Sequence, residues 1–384
     1  MRAEPYVIWL ADCTRDCLPV VGGKAIGLGT LVREGFQVPA GFAISTSAYR
    51  EHIDHNGLAG PLQALVTECT SLEAQKRASE EIRQLFEASR PSPRIEDEVL
   101  AAYARLCGDA SAPVAVRSSA TAEDLADASF AGQQETYLWI LGGAEVLEHI
   151  VRCWASLFTP QAIAYRGRPR SASLHGVNAR TRVTDLAMGV VVQQMVPAEA
   201  AGVMFTIDPV TGDPSGIVVE AAYGLGAAVV NGEVTPDRVC VDKVQLEIRS
   251  RTIGTKALAH RFDPAVQGTR LEEVPPLLQT RLCLTDDEVI HLAALGKKME
   301  LAMGRAQDME WAIGAGRSGP REVFLLQARP ETVWSQKPRR PLVQPESTVM
   351  DRILQAMRVP RPSASEADLR ASQTGAPGSD RQMP

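Results

Sequence analysis

The sequence contains no long hydrophobic run. No stretch approaches the ~18 consecutive apolar residues of a membrane span. The opening segment MRAEPYVIWLADC lacks the apolar core and small-residue cleavage site of a secretory signal. A cytoplasmic protein is the expectation, with no membrane partner. An excess of basic charge is also missing. The 40 Lys and Arg stand against 46 Asp and Glu, which argues against a nucleic-acid surface but leaves room for a local basic pocket. Cysteine is sparse and unpatterned. There are seven, an odd number, and Cys13 and Cys17 have no second Cys or His pair at zinc spacing. A disulfide framework and a structural zinc site are therefore not expected. No internal repeat is evident.

What is present suits a sizeable globular core. The chain has 384 residues and is 45% hydrophobic, enough for two or three domain-sized units. Apolar spacing after Lys24 predicts a short helix ending near Gly35, and FQVPAGFAIS then resumes as extended chain. Residues 61–107 read as helical with a break at 91–93, APVAVR at 112–117 as a buried strand, and 144–166 as helix. LAMGVVVQQMV, AGVMFTI and GIVVEAA carry strand signals separated by turns. Residues 285–304 predict a helix whose Thr285 and Glu288 form a capping box. After Trp334 the composition turns to Pro, Ser, Arg and Gln, which predicts a largely disordered tail. Within it Val349, Met350, Ile353, Leu354 and Met357 would line one face of a short docking helix.

Four places could carry chemistry. In VGGKAIGL, two glycines allow close backbone approach and Lys24 adds a point charge at a helix start, which suits phosphate; a glycine turn with a solvated lysine is the plain alternative. Arg117 ends a buried strand and could grip phosphate with its fork, or be a surface arginine. The SFAGQQET that follows, with Gly132, could fold over phosphates. In VVVQQMVPAEAAGVMF, a strand, short linker and strand could form an adenine slot, with backbone groups of Gln194 to Val196 at the base edge, or be plain core. In AQDMEWAIGAGRSGPREVFLLQARPET, alternation puts Asp308 and Glu310 on one face, opposite Met309, Trp311 and Ile313. A return strand would add Gln327 and Arg329 on one face, opposite Phe324, Leu326 and Ala328. Oxygen ligands of that kind hold Mg²⁺, and the arginine would meet phosphate beside it; a structural salt bridge is the alternative.

Taken in order, these segments resemble a known family, the N-terminal nucleotide-binding domain of phosphoenolpyruvate synthase and pyruvate phosphate dikinase. The motifs that carry it are VGGKAIGLGTL, FQVPAGFAIS, AVRSSATAEDLADASFAGQQET, VVVQQMV, AGVMFTIDPVTG, EAAYGLGAAVVNGEVTPD, DMEWAI and LLQARPET, spread over roughly residues 8 to 334. The resemblance implies an α+β, ATP-grasp-like fold, with one lobe over 1–185, a second over 186–335 and the tail at 336–384. It implies that Lys24, Arg117 and Arg329 bind phosphate. Glu310 and Gln327 would hold Mg²⁺ with Asp308 near it, Gln194, Met195 and Val196 would contact adenine, and the segment holding Gly132 and Thr136 would cover the phosphates. In that family a histidine on a separate swivelling domain receives the phosphoryl group. None of the six histidines here sits in a T-x-G-G-x-x-[SC]-H-type context. The implied function is therefore the ATP-binding catalytic subunit of a split, dikinase-type phosphotransferase, as in phenylphosphate synthase, with the carrier histidine on a partner subunit. A non-catalytic ATP-sensing module is the alternative. A self-contained small-molecule kinase ranks behind both, because no general base is evident.

Overall fold

The computed structural model describes residues 4–334, apart from 68, 70, 109–110, 121–134, 168–182, 264–267 and 317–318. Gly132, most of SFAGQQET and the docking helix expected at 349–357 lie outside the described residues.

The chain is α+β. The first part runs β1 (Val7–Trp9), α1 (Leu18–Arg33), β2 (Gly41–Ile44), α2 (Thr46–His55), α3 (Ala59–Thr67), α4 (Leu72–Ala88), α5 (Pro93–Cys107), β3 (Val114–Ala120), β4 (Thr136–Ile140), α6 (Gly143–Ala155), α7 (Pro160–Gly167) and β5 (Met188–Gln194). Its five strands form one antiparallel sheet in the order β1-β2-β5-β3-β4. The second part runs β6 (Ala198–Phe205), β7 (Gly216–Tyr223), α8 (Ala227–Val230), β8 (Asp237–Asp242), β9 (Ile248–Thr252), β10 (Leu258–Asp263), β11 (Gly268–Glu273), α9 (Pro276–Gln279), α10 (Asp286–Met303), β12 (Gln307–Gly316) and β13 (Gly319–Pro330). A six-stranded sheet has the order β13-β12-β6-β7-β8-β9, and β10-β11 stand as a separate hairpin.

Strand periodicity explains the two cores. Phe42, Ile44, Val190 and Val192 face a core closed by α2 to α7, whereas Ala43 and Val191, one residue out of phase, face α1 and the second core. Both faces of this sheet are covered, so its strands read as continuous apolar runs. On the second sheet Met204, Val219, Val241, Met309, Trp311 and Ile313 point to α1 and α10. Each such fully buried aliphatic or aromatic side chain contributes roughly 1.5–3 kcal/mol. The Thr285–Glu288 capping box opens α10, and Gly304 ends it in the left-handed region at φ 69°.

Several expectations change. The helical stretch read over 61–107 has a further break before Ser71, whose side chain accepts from the Ala74 amide and caps α4. The stretch 144–166 divides between α6 and α7 at a short 3₁₀ turn before Pro160. The strand Met188–Gln194, assigned from sequence to the second lobe, pairs with β2 and β3 in the first sheet. Val190 and Val192 fill the first core, so the chain crosses between sheets at 195–197 rather than at 185.

Candidate functional site

The site is a cleft between the two sheets. Helix α1 supplies one wall. Its helical course breaks at Gly22, with φ 78° and ψ 170°, so a second segment restarts at Gly23. A side chain at Gly22 would put Cβ 2.1 Å from the Ser119 carbonyl of β3, and one at Gly27 would lie 2.6 Å from the Ala328 carbonyl of β13. Glycine at both positions lets α1 lie against both sheets at once. Lys24 therefore sits in the first turn of a restarted helix, where backbone amides and dipole favour an anion. Lys24 is 7% exposed, and its ammonium donates to the Ser118 carbonyl at 2.7 Å.

Arg117 reaches across the cleft from β3. Its Nη1 lies 3.4 Å from the Leu326 carbonyl and 3.6 Å from Glu310 Oε2, and its Nε is buried without a hydrogen-bond partner. β12 and β13 pair in antiparallel register with Asp308 opposite Arg329 and Glu310 opposite Gln327. The polar four thus share the cleft face, with Met309, Trp311 and Ile313 buried behind them. Arg329 Nε lies 3.5 Å from Asp308 Oδ2, and Asp308 Oδ1 is buried without a partner. Burial pushes the Asp308 carboxyl up to about 6, only partly offset by Arg329. Strict alternation fails in β13. A bulge beside Glu310 and Trp311 shifts the register, so Phe324 and Leu326 pack with Val196, Ala201 and Ala312, and Leu326 lines the cleft. Val196, Ala201, Ala312 and Leu326 form an apolar slot beside the polar residues. Ala328 keeps its place in the second core.

At the crossover between sheets, the Gln194 amide donates to the Ala40 carbonyl and the Met195 amide to the Pro113 carbonyl, each at 2.9 Å. The Gln194 side chain donates to the Leu106 carbonyl. These bonds fix the segment that ends the slot.

The cavity between these walls measures about 1240 Å³, above the ~300–1,000 Å³ of common small-ligand pockets. Lys24, Arg117, Thr136, Gln194, Met195, Val196, Asp308, Glu310, Gln327 and Arg329 all line it. Every site residue singled out from sequence that is described lies there. Sequence reasoning left out the wall made by Leu225, Gly226, Ala227, Val230 and Asn231, and the two further cations Arg15 and Arg305. The first group was visible only as part of a glycine-rich motif, and nothing marked either arginine. Among the described residues no cluster of three or more His, Cys, Asp or Glu could hold a metal. The hairpin instead supplies two carboxylates and an amide, a set suited to Mg²⁺ that keeps waters and shares phosphate oxygens. Asp308 Oδ1, buried and unpartnered, fits a cation beside it. No helix among the described residues is long and apolar enough to cross a membrane.

The chain is 41% identical over 360 residues to phosphoenolpyruvate synthase of Aeropyrum pernix, covering 86% of this chain and 43% of that protein. It is 41% identical over 339 residues to a rifampicin phosphotransferase of Streptomyces sp., covering 87% of this chain and 37% of that protein. Phosphoenolpyruvate synthase of Aquifex aeolicus is 36% identical over 358 residues, covering 88% and 40%. The chain thus spans less than half the length of each of these relatives. Residues 18–349 match the family model "Pyruvate phosphate dikinase, AMP/ATP-binding domain", and the chain belongs to that family.

Proposed function

We propose that this chain is the ATP-binding catalytic unit of a dikinase-type phosphotransferase with an ATP-grasp-like fold. It transfers the β-phosphoryl group of ATP to a histidine on a partner subunit and releases AMP and phosphate. The observation that carries this reading is the convergence of Lys24, Arg117, Glu310, Gln327 and Arg329 on one cavity from both sheets. The relatives' names, phosphoenolpyruvate synthase and rifampicin phosphotransferase, support phosphoryl transfer.

The roles follow from the walls. The apolar slot of Val196, Ala201, Ala312 and Leu326 takes the adenine ring. The amides of Gln194 and Met195 are committed to protein carbonyls, which leaves the Val196 amide to meet the base edge. Lys24 and the restarted α1 hold phosphate oxygens, with Arg117 and Arg329 on the opposite side. Thr136 lies on the cavity wall as a further polar contact to the phosphates. Glu310, Gln327 and Asp308 would hold Mg²⁺, which when bound neutralises charge on the phosphate chain. Phosphoryl transfer depends mostly on such positioning and charge compensation. None of the described histidines lines the cavity, so the accepting histidine comes from outside these walls. Phenylphosphate synthase-like or phosphoenolpyruvate synthase-like chemistry depends on what that partner accepts.

The test is incubation with ATP labelled at the β- or the γ-phosphate, together with a candidate phosphohistidine carrier. β-label on the carrier and AMP in solution are expected. ADP as the sole product contradicts the dikinase reading.

A further inference from the structure

Trp139 has a backbone conformation that its side chain disfavours. Its φ is 64°, in the left-handed region, where a bulky residue is strained. The cause is an extra residue in β4. Val116 of β3 pairs with Tyr137 and Val114 with Ile140, so between these pairs the single residue Ala115 opposes two, Leu138 and Trp139. The bulge changes which way the side chains face. Tyr137 and Ile140 both pack on the first core, although an unbroken strand would point them to opposite faces. Leu138 lines the cleft. Trp139 stacks on Phe262, with ring centroids 4.6 Å apart and planes at 20°.

Phe262 belongs to the β10–β11 hairpin, which among the described residues forms no sheet with any other strand. The same hairpin is tied to the opposite cleft wall. Gly224 bridges His260, the Leu225 amide donates to the His260 carbonyl at 2.9 Å, and His260 Nε2 lies 2.6 Å from Glu233 Oε2. The next residues, Leu225 to Ala227, line the cavity, and so do Thr136 and Leu138 on β4. The hairpin therefore spans two walls that belong to different sheets; β11 packs against β4, and the Trp139–Phe262 stack adds the ring contact from β10.

We infer that Trp139 and Phe262 are positioning residues: their stack holds the β4 wall, with Thr136 and Leu138, at a fixed separation from the Leu225–Asn231 wall and so sets the width of the nucleotide cleft. The inference rests on the nucleotide-binding reading of that cleft. Strain at Trp139 persists because the bulge turns its ring toward the hairpin, and a plain strand would not.

The experiment is calorimetric titration of MgATP into the full chain, alongside thermal unfolding. F262A and F262L remove the aromatic partner, and L keeps bulk should A fail to fold. W139G keeps the backbone turn without strain and removes the ring, whereas W139F keeps a ring. The expected result is affinity about fivefold weaker in F262A, F262L and W139G, the order expected from one aromatic pair. W139F should stay within about twofold of wild type. A purely structural stack would lower the unfolding temperature and leave affinity unchanged, which overturns the inference. Wild type that fails to bind MgATP overturns the cleft reading itself, whereas wild-type binding with unchanged F262L overturns the inference alone.

Discussion

Two acid–base clusters in this chain are built to opposite rules. Asp237 and Lys256 are nearly inaccessible, and their charges are saturated from within the protein. Lys256 Nζ lies 2.5 Å from Asp237 Oδ1 and also donates to the carbonyls of Gly254 and Gln279. Asp237 accepts in addition from the amides of Gly254 and Cys283. The cleft cluster is left open. Its ion pairs are long, at 3.5 Å for Arg329–Asp308 and 3.6 Å for Arg117–Glu310, and Asp308 Oδ1 and Arg117 Nε have no partner. Burial without saturation is costly in a fold and useful in a site, because the missing contacts are those a ligand can make. On the proposed reading, the closed cluster serves stability and the open one serves binding.

The contrast can be broken by mutation. The largest effect is expected from Lys256→Met, which leaves Asp237 buried and unpaired and should cost about 3–5 kcal/mol in urea unfolding. Adding Asp237→Leu should recover much of that, since an apolar pair replaces a desolvated one. A loss below ~1 kcal/mol for Lys256→Met would mean that the pair is not closed.

A second buried polar group, His52, sharpens the closed side of the comparison. It stacks on Phe86, lies tilted against Trp154, and its Nε2 lies 2.9 Å from Ser89 Oγ. Burial pulls its pKa from 6.5 down to about 4. A depressed folded-state value means that the neutral ring is favoured by folding. Stability is therefore full above pH 6.5 and falls as pH drops toward 4. The drop should be on the order of 3 kcal/mol. His52→Phe should flatten that slope in denaturant titrations, and an unchanged slope assigns it to other groups.

On the open side, Glu310→Gln should cut ATP-dependent phosphoryl transfer about 10²-fold and shift unfolding by less than ~0.5 kcal/mol. A variant that unfolds but retains transfer would reverse the assignment. The smallest effect concerns Arg329, whose side chain is 60% exposed. Arg329→Gln should change stability by less than about 1 kcal/mol in the same assay. A larger loss would make the Arg329–Asp308 pair structural.

How much of this was legible depends on the physics of each element. The shared face of Asp308 and Glu310 follows from the two-residue period of a strand, and the Thr285 cap from side-chain chemistry that acts three residues away. The β13 bulge was not legible. Nothing in VFLLQAR distinguishes a residue slipped into the ladder, so sequence alternation puts Phe324 and Leu326 behind the site, whereas both pack with Val196, Ala201 and Ala312 and Leu326 lines the cavity. The bulge at Trp139 was hidden for the same reason, since no glycine marks its positive φ. β5 went to the wrong sheet because a VVV run buried on both faces has no polar side to say which core it serves. Residues 237–242 alternate buried and half-buried along DRVCVD, a pattern that the apolar VCV centre hides in the sequence. The exposed IRSRT of β9 shows no such pattern.

The central claim is that the open cluster and the Val196 slot hold one magnesium nucleotide. A crystal structure with a non-hydrolysable ATP analogue and Mn²⁺ tests it most directly. The account predicts an anomalous Mn²⁺ peak at Glu310 and Gln327, phosphates against Lys24, Arg117 and Arg329, and the base at Val196. Nucleotide bound elsewhere, or a cleft with no metal peak beside the phosphates, would contradict it.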